Sequence, residues 1–205
     1  MIPTECNMPA LYPELERLHP QMLLTAAFIG NGSLSQNAAL MRKHLVRLVD
    51  KAIYEYSHAR EAILDQLRES KRSYKEMLGG RVIYMFGFTD HMENCLNAMR
   101  RILDLLQHLR ADTTAPSQDR LQRRLVESLS SSLVDIRNTF EHVGSAINNN
   151  EFGEGTMVVL GYGDDQNSVC IGAHSLSFSS ITTILRAVHA EAKRLLVEPH
   201  GTNAA

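Results

Sequence analysis

The stretch DRLQRRLVESLSSSLVDIRNTFEHVGSAINNN, residues 119–150, decides how this chain is read. Leu121, Leu125, Leu129, Leu133, Ile136, Phe140, Val143 and Ile147 recur three, four or seven residues apart, one apolar stripe down an α-helix. The period predicts a helix from about Asp119 to Ile147, interrupted at Asn148-Asn149-Asn150.

Upstream, Met41, Leu45, Leu48, Ala52, Tyr56, Ala59, Ile63 and Leu67 draw a second stripe. Ser33 or Ser35 is placed to cap that helix, and Gly79-Gly80 to end it. Arg81 to Phe88 is apolar and reads equally as helix or strand. Asp90-His91-Met92-Glu93 resembles a capping box, opening a helix with Met92, Cys95, Leu96, Met99, Ile102, Leu103 and Leu106 inward. Thr113 to Ser117 is a loop.

Downstream the period changes. Met157 to Leu160 and Ser168 to Ile171 flank Gly163-Asp164-Asp165-Gln166-Asn167, which predicts a β-hairpin over about 156–172. Ser179 or Ser180 then caps a last helix with Ile181, Ile184, Leu185, Val188, Ala192 and Leu195 on one face. The expected fold is mainly α: a four-helix up-down bundle with the hairpin inserted before the last helix. Residues 1–33, broken by Pro3, Pro9, Pro13 and Pro20, form an arm carrying short helices from Glu14 and through Leu23–Phe28. The bundle spans 34–198 and a tail spans 199–205.

Composition narrows the function. The 205 residues are 44% apolar and carry a net charge of −2, so a nucleic-acid site must be a local basic patch. Cys6, Cys95 and Cys170 are an odd number without a CxxC pair, which argues against a disulfide framework or a thiolate zinc site and for a reducing cytoplasm. The first basic residue, Arg17, follows Glu5 and Glu14, and the apolar stretch Met22 to Gly30 is short. Neither a signal peptide nor a membrane partner is expected.

No glycine-rich phosphate loop, GxSxG elbow or HExxH motif occurs. Two ExxH pairs, Glu16/His19 and Glu55/His58, have the spacing of di-iron bundle ligands. Pro20 breaks the first, and His58 lies roughly 120° off its helix's apolar stripe, so a solvated face explains it and no metal is expected.

The remaining constellation is Arg137-Asn138-Thr139-Phe140-Glu141-His142. Arg137 flanks the stripe by about 90°, with Asn138 and His142 on the far polar side about 40° from each other. One reading is an Arg137–Glu141 pair on a solvated face. The other is chemistry. Imidazole titrates near neutrality, so His142 can take or give a proton. Arg137 can hold a phosphate and stabilise charge there, and Asn138 can orient His142 or bind a phosphate. Arg120 and Arg124 project to the same polar side, and with Arg123 they form a candidate RNA-binding patch.

Arg137 through His142 resembles the RX4–6H motif of the HEPN superfamily, in which a polar residue, often Asn, follows the Arg. Arg101/His108 and Arg194/His200 share the spacing, but Ile102 and Leu195 follow those arginines. The resemblance extends through Asn148, the hairpin ending Ile171-Gly172 and Val188-His189-Ala190-Glu191-Ala192. It covers roughly 35–197 and is specific over 137–197. It implies a metal-independent, cofactor-free endoribonuclease cutting single-stranded RNA to cyclic-phosphate ends. It further implies catalytic Arg137, Asn138 and His142, a homodimer with a composite site, and a toxin or phage-defence role with a possible antitoxin. Toxins of the RX4HxY type carry Tyr where this chain has Gly144, which sets tyrosine modification aside. The alternative is a non-catalytic dimeric bundle binding RNA or a partner protein.

Overall fold

The computed structural model describes residues 3–28, 34–150, 152–153 and 158–197. Over these residues the chain is mainly helical, with one small antiparallel sheet. The helices are α1 (His19–Phe28), α2 (Gln36–Ser70), α3 (Tyr74–Met77), α4 (Met85–Ala111), α5 (Arg120–Glu141), α6 (Val143–Asn148) and α7 (Phe178–Val197). The strands are β1 (Gly161–Tyr162), β2 (Ser168–Ile171) and β3 (His174–Ser177). The expectations for Ser33, for 156–157 and for the tail 199–205 lie outside the described residues.

α2 and α4 form the long pair, and their apolar stripes explain why. Leu45, Leu48, Ile53, Tyr56 and Ile63 of α2 meet a core that includes Phe88, Met92, Leu96, Met99 and Ile102 of α4, all essentially inaccessible. Each of these Leu, Ile, Met and Phe side chains contributes about 1.5–3 kcal/mol of transfer free energy. α7 packs on α2 and α5, and α5 packs on α4, α7 and the sheet. At one end of the long pair Ser35 Oγ caps α2 by accepting from Ala38 N–H (3.0 Å) and donates to Asp112 Oδ2 (2.7 Å) beyond α4. The start of α2 thus lies beside the end of α4. Hydrogen bonds from Thr114 and Ser35 hold the Asp112 carboxyl below its ordinary range.

Several boundaries differ from the sequence reading. α2 ends at Ser70, not at Gly79-Gly80, because a capping box between Ser73 and Glu76 nucleates the separate α3. Gly80, at φ 102°, follows that short helix. α4 starts at Met85 rather than at Asp90, which sits exposed inside it. Buried Gln66 of α2 accepts from Tyr84 N–H (2.9 Å), and Phe88 is fully buried, so the first turn is fixed from α2. The expected single helix over 119–147 is broken at His142 into α5 and α6. α7 is capped by Ser177, whose Oγ accepts from Ser180 N–H (3.1 Å), not by Ser179 or Ser180.

The hairpin is a three-stranded meander. Residues 158–160 are not strand, and β3 adds a third strand that sequence reading left out. Val169 stands opposite Tyr162 on one side and Leu176 on the other, and all three are buried. Gly172, at φ 57°, makes the β2–β3 turn, where a Cβ would lie 2.9 Å from the Phe152 ring. Glycine therefore fits twice over, by conformation and by space.

The N-terminal segment, expected as an arm, is packed into the core through Met8, Leu11, Leu15 and Leu18. Tyr162 anchors it. Its ring packs between Phe88 and Phe178, with centroids 5.6 and 5.2 Å away. Its hydroxyl accepts from Asn7 N–H (3.2 Å) and reaches the Glu5 and Gln166 carbonyls (3.2 and 3.0 Å). Glu14 pairs with Arg186 (2.7 Å) and Glu16 with Lys193 (2.6 Å) on α7. No helix among the described residues is long and apolar enough to cross a membrane.

Candidate functional site

Val126, Leu133 and Ile136 bury one side of α5, which sets where its polar residues face. Arg137 comes out on the flank toward α4. Its Nη2 pairs with the Glu141 carboxylate four residues on. Its Nε donates to Asn97 Oδ1 (3.4 Å) and its Nη1 to Asn138 Oδ1 (3.3 Å). With Asn97, Arg100, Arg101, Asp104 and Glu141 it lines a hollow of about 380 Å³ between the two helices. Arg101 Nη2 lies 3.1 Å from His44 Nε2, and burial, with the Arg47 and Arg101 charges, lowers the His44 pKa.

Asn138 and His142 open to a different hollow, of about 550 Å³, on the sheet side of α5. His142 is where the helix stops. At φ −107° and ψ 15° its N–H still donates to Asn138 O (3.0 Å), and its carbonyl accepts from Ala146 N–H (3.0 Å). The same hollow is lined by Thr139, Ala146, Phe152, Gly172, Ala173 and His174. His174 opens β3 immediately after the tight Gly172 turn, so the sheet presents a second imidazole to the hollow that holds His142. Both histidines are solvent-exposed.

The arrangement has clear chemical capacity. Two imidazoles can serve as base and acid, and the Asn138 amide can donate to a phosphoryl oxygen. Thr139 Oγ1 already donates to Asp135 O (2.9 Å), which leaves it only as an acceptor. Arg137 belongs to the other hollow, so within one chain the cation and the His142 imidazole are not brought together.

The three candidate RNA-binding arginines also part company. Arg120 and Arg124 are exposed on α5. Arg124 lies 14 residues before Asn138, about 21 Å at 1.5 Å per residue. Arg123 turns instead into a groove of about 220 Å³ between α4, α5 and α7, floored by Leu103, Leu106, Val126 and Val188. There its Nε is buried without a hydrogen bond, 3.8 Å from Glu127 Oε1, and Arg110 Nη1 holds the same carboxylate at 3.0 Å.

Three residues of the ExxH pairs have other partners. Glu16 holds Lys193, Glu55 Oε2 lies 2.8 Å from His91 Nδ1, and His58 Nδ1 lies 3.0 Å from Tyr54 O. Among the described residues no group of three or more His, Cys, Asp or Glu is placed to hold a metal ion. Cys95 is buried and Cys170 partly so, and burial raises both thiols above their ordinary pKa, which disfavours the nucleophilic thiolate.

Sequence reasoning missed His174, Asn97 and Arg100. His174 lies 32 residues beyond His142, and only the meander brings the two to one hollow. Asn97 and Arg100 sit on α4 beside its Met92 to Leu106 stripe, where periodicity alone gives them no role. The chain matches no protein-family model, no curated protein and no solved structure.

Proposed function

We propose that the chain is a HEPN-like, metal-independent endoribonuclease acting on single-stranded RNA. It works as a cytoplasmic homodimer in a toxin or phage-defence role, held in check by an antitoxin. In this reading α2, α4, α5 and α7 are a four-helix up-down bundle, and the sheet is an insertion before its last helix.

One observation carries the reading: His142, His174 and Asn138 line a single open hollow. His142, neutral, takes the proton of a ribose 2′-OH. The 2′-oxygen then bonds to the adjacent phosphorus as the bond to the 5′-oxygen breaks, and protonated His174 gives that oxygen its proton. Asn138 donates to a phosphoryl oxygen. The products are a cyclic phosphate and a free 5′-hydroxyl, with no metal or redox partner required. Arg137 faces the other hollow, so it serves the site of a second copy across a twofold axis, which brings the same helix face up to itself.

The pairing of Arg137 with Glu141 favours a second reading, a non-catalytic bundle that binds RNA or a partner protein, because the guanidinium is already engaged. The test is cleavage of single-stranded RNA by purified protein in excess chelator. His142→Ala and His174→Ala are each expected to lower the rate by about 10²–10⁴ while staying folded. Arg137→Ala is expected to lower it too, and to be rescued in mixed dimers with the His142→Ala chain. Activity that needs metal, or that survives both histidine substitutions, overturns the assignment. An inactive wild type that binds RNA establishes the second reading.

A further inference from the structure

The connection between α2 and α4 is unlike the rest of the surface. Tyr74, Leu78, Val82, Ile83 and Phe86 are 78%, 71%, 50%, 63% and 72% exposed. They follow one another along the segment that joins the long pair at one end, and they line none of the three hollows described above. Solitary exposed apolar residues are ordinary, but four large ones on one short connection, with Phe86 in the first turn of α4, mark an interaction surface.

The charges on the same segment say which kind. Over residues 71–84, Lys71, Arg72, Lys75 and Arg81 stand against Glu76 alone, a net of +3 in a chain whose net charge is −2. Arg72 is engaged by Glu69 (2.8 Å). Lys71, Lys75 and Arg81 are exposed, and among the described residues none is in an ion pair; Arg81 Nε rests 2.8 Å from Met77 Sδ. Buried Gln66 and Glu69 of α2 meanwhile accept from the backbone N–H groups of Tyr84 (2.9 Å) and Val82 (3.3 Å). The segment's backbone is held from beneath while its apolar side chains project outward.

We infer that this tip docks on the surface of an anionic lipid bilayer, with Tyr74, Leu78, Ile83 and Phe86 entering the headgroup–acyl boundary and Lys71, Lys75 and Arg81 meeting lipid phosphates. Large apolar side chains exposed together at one end of the long pair suit a plane. Apolar side chains interleaved with exposed cations are the combination that interfacial binding uses. A second copy is the poorer occupant, because with Arg72 neutralised by Glu69 a twofold contact through the tip still sets +2 against +2. The inference concerns attachment to one face of a bilayer, not a span, and it does not depend on the ribonuclease reading.

The experiment is co-sedimentation of the full chain with vesicles of phosphatidylcholine alone or with about a third phosphatidylserine, near 0.1 M salt. Binding is expected only with phosphatidylserine, and weaker as salt rises. Each cation contributes about fivefold to the partition coefficient, so Lys75→Glu with Arg81→Glu is expected to lower it at least 25-fold. Ile83→Ser with Phe86→Ser is expected to lower it at least tenfold. All four side chains are exposed, and far-UV circular dichroism checks that both variants stay folded. The chain has no tryptophan, so Phe86→Trp supplies a single reporter whose emission shifts to the blue on anionic vesicles only. The inference is overturned by absent binding to phosphatidylserine vesicles, by unaltered binding of either double variant, or by an indole emission of the Phe86→Trp chain that does not move. It is also overturned if Ile83→Ser with Phe86→Ser converts a dimer to a monomer while vesicles bind neither form, which assigns the tip to a second copy.

Discussion

Replacing Glu141 with glutamine separates the two meanings of the Arg137–Glu141 pair. Arg137 is 27% exposed and Glu141 32%, and they stand four residues apart on α5. An ion pair so placed is screened by water and worth about 0.3–1 kcal/mol. If Arg137 has to leave this carboxylate to take a phosphate, removing the carboxylate returns that energy to RNA binding, a tightening of about 2- to 5-fold. Asn97 and Asn138 still accept from the guanidinium in the variant, so it stays on the flank. Stability falls by no more than the pair is worth, about 0.3–1 kcal/mol, or roughly 1–4 °C in Tm for a chain of this size. The assay is RNA binding by Glu141→Gln in the His142→Ala background, in chelator and at fixed salt. Arg137→Ala in that background is expected to weaken binding and to reduce the salt slope by about 0.7, the loss of one phosphate contact on a single strand. Unchanged or weaker binding by Glu141→Gln, with an unchanged slope for Arg137→Ala, would show that the pair is structural and that Arg137 is no phosphate ligand.

Other substitutions test the scaffold. Tyr162→Phe removes the acceptor of Asn7 N–H and leaves Glu5 and Gln166 carbonyls without that partner; about 1–3 kcal/mol lost in urea unfolding is expected. Gly172→Ala meets both the left-handed φ and the Phe152 ring, so at least about 1 kcal/mol is expected to be lost, with cleavage falling further than stability as His174 is displaced. Hydrogen bonds from Arg186 and Lys193 lower the Glu14 and Glu16 pKa values, so these carboxylates stabilise the docked N-terminal segment above their unfolded pKa. That contribution is lost as pH falls through the lowered values, and limited proteolysis is expected to cut the segment faster below about pH 4 than at pH 6.

The long helices were legible because their burial is periodic. Ile181, Ile184, Leu185, Val188, Ala192 and Leu195 are all buried, as their spacing on α7 predicts. Boundaries set by tertiary contacts were not. Asp90 is a good cap in sequence, but Gln66 of α2 and the burial of Phe88 start α4 earlier. Gly79-Gly80 is a good stop, but Ser73 and Glu76 form a local box first. β3 escaped because His174-Ser175-Leu176-Ser177 carries a single buried apolar residue, too little for alternation to register. On α5 the stripe overstates the core: Leu121 is 76% and Leu125 40% exposed, while Leu133 and Ile136 are buried. The pattern reports which residues share a face, not how far a neighbour covers it.

The break at His142 links the fold to the candidate chemistry. A helix running straight to Ile147 would keep its side chains in register with the stripe. Stopping at His142 instead lets the chain turn, so that Ala146 and His142 wall one side of a hollow whose other side is the β2–β3 turn. That turn is itself fixed, because Val169 and Leu176 are locked in the core and Gly172 admits no side chain. His174 is therefore carried on a rigid element, as a general acid or base requires. Asn97, beside Arg137, lies 11 residues along α4 from Phe86, about 16 Å at 1.5 Å per residue. The tip thus stands some three helical turns from the Arg137 hollow, and no residue of the tip lines either hollow on α5. Substitutions at Ile83 or Phe86 therefore test the proposed attachment without altering α5, and substitutions at His142 or His174 test the proposed cleavage without altering the tip.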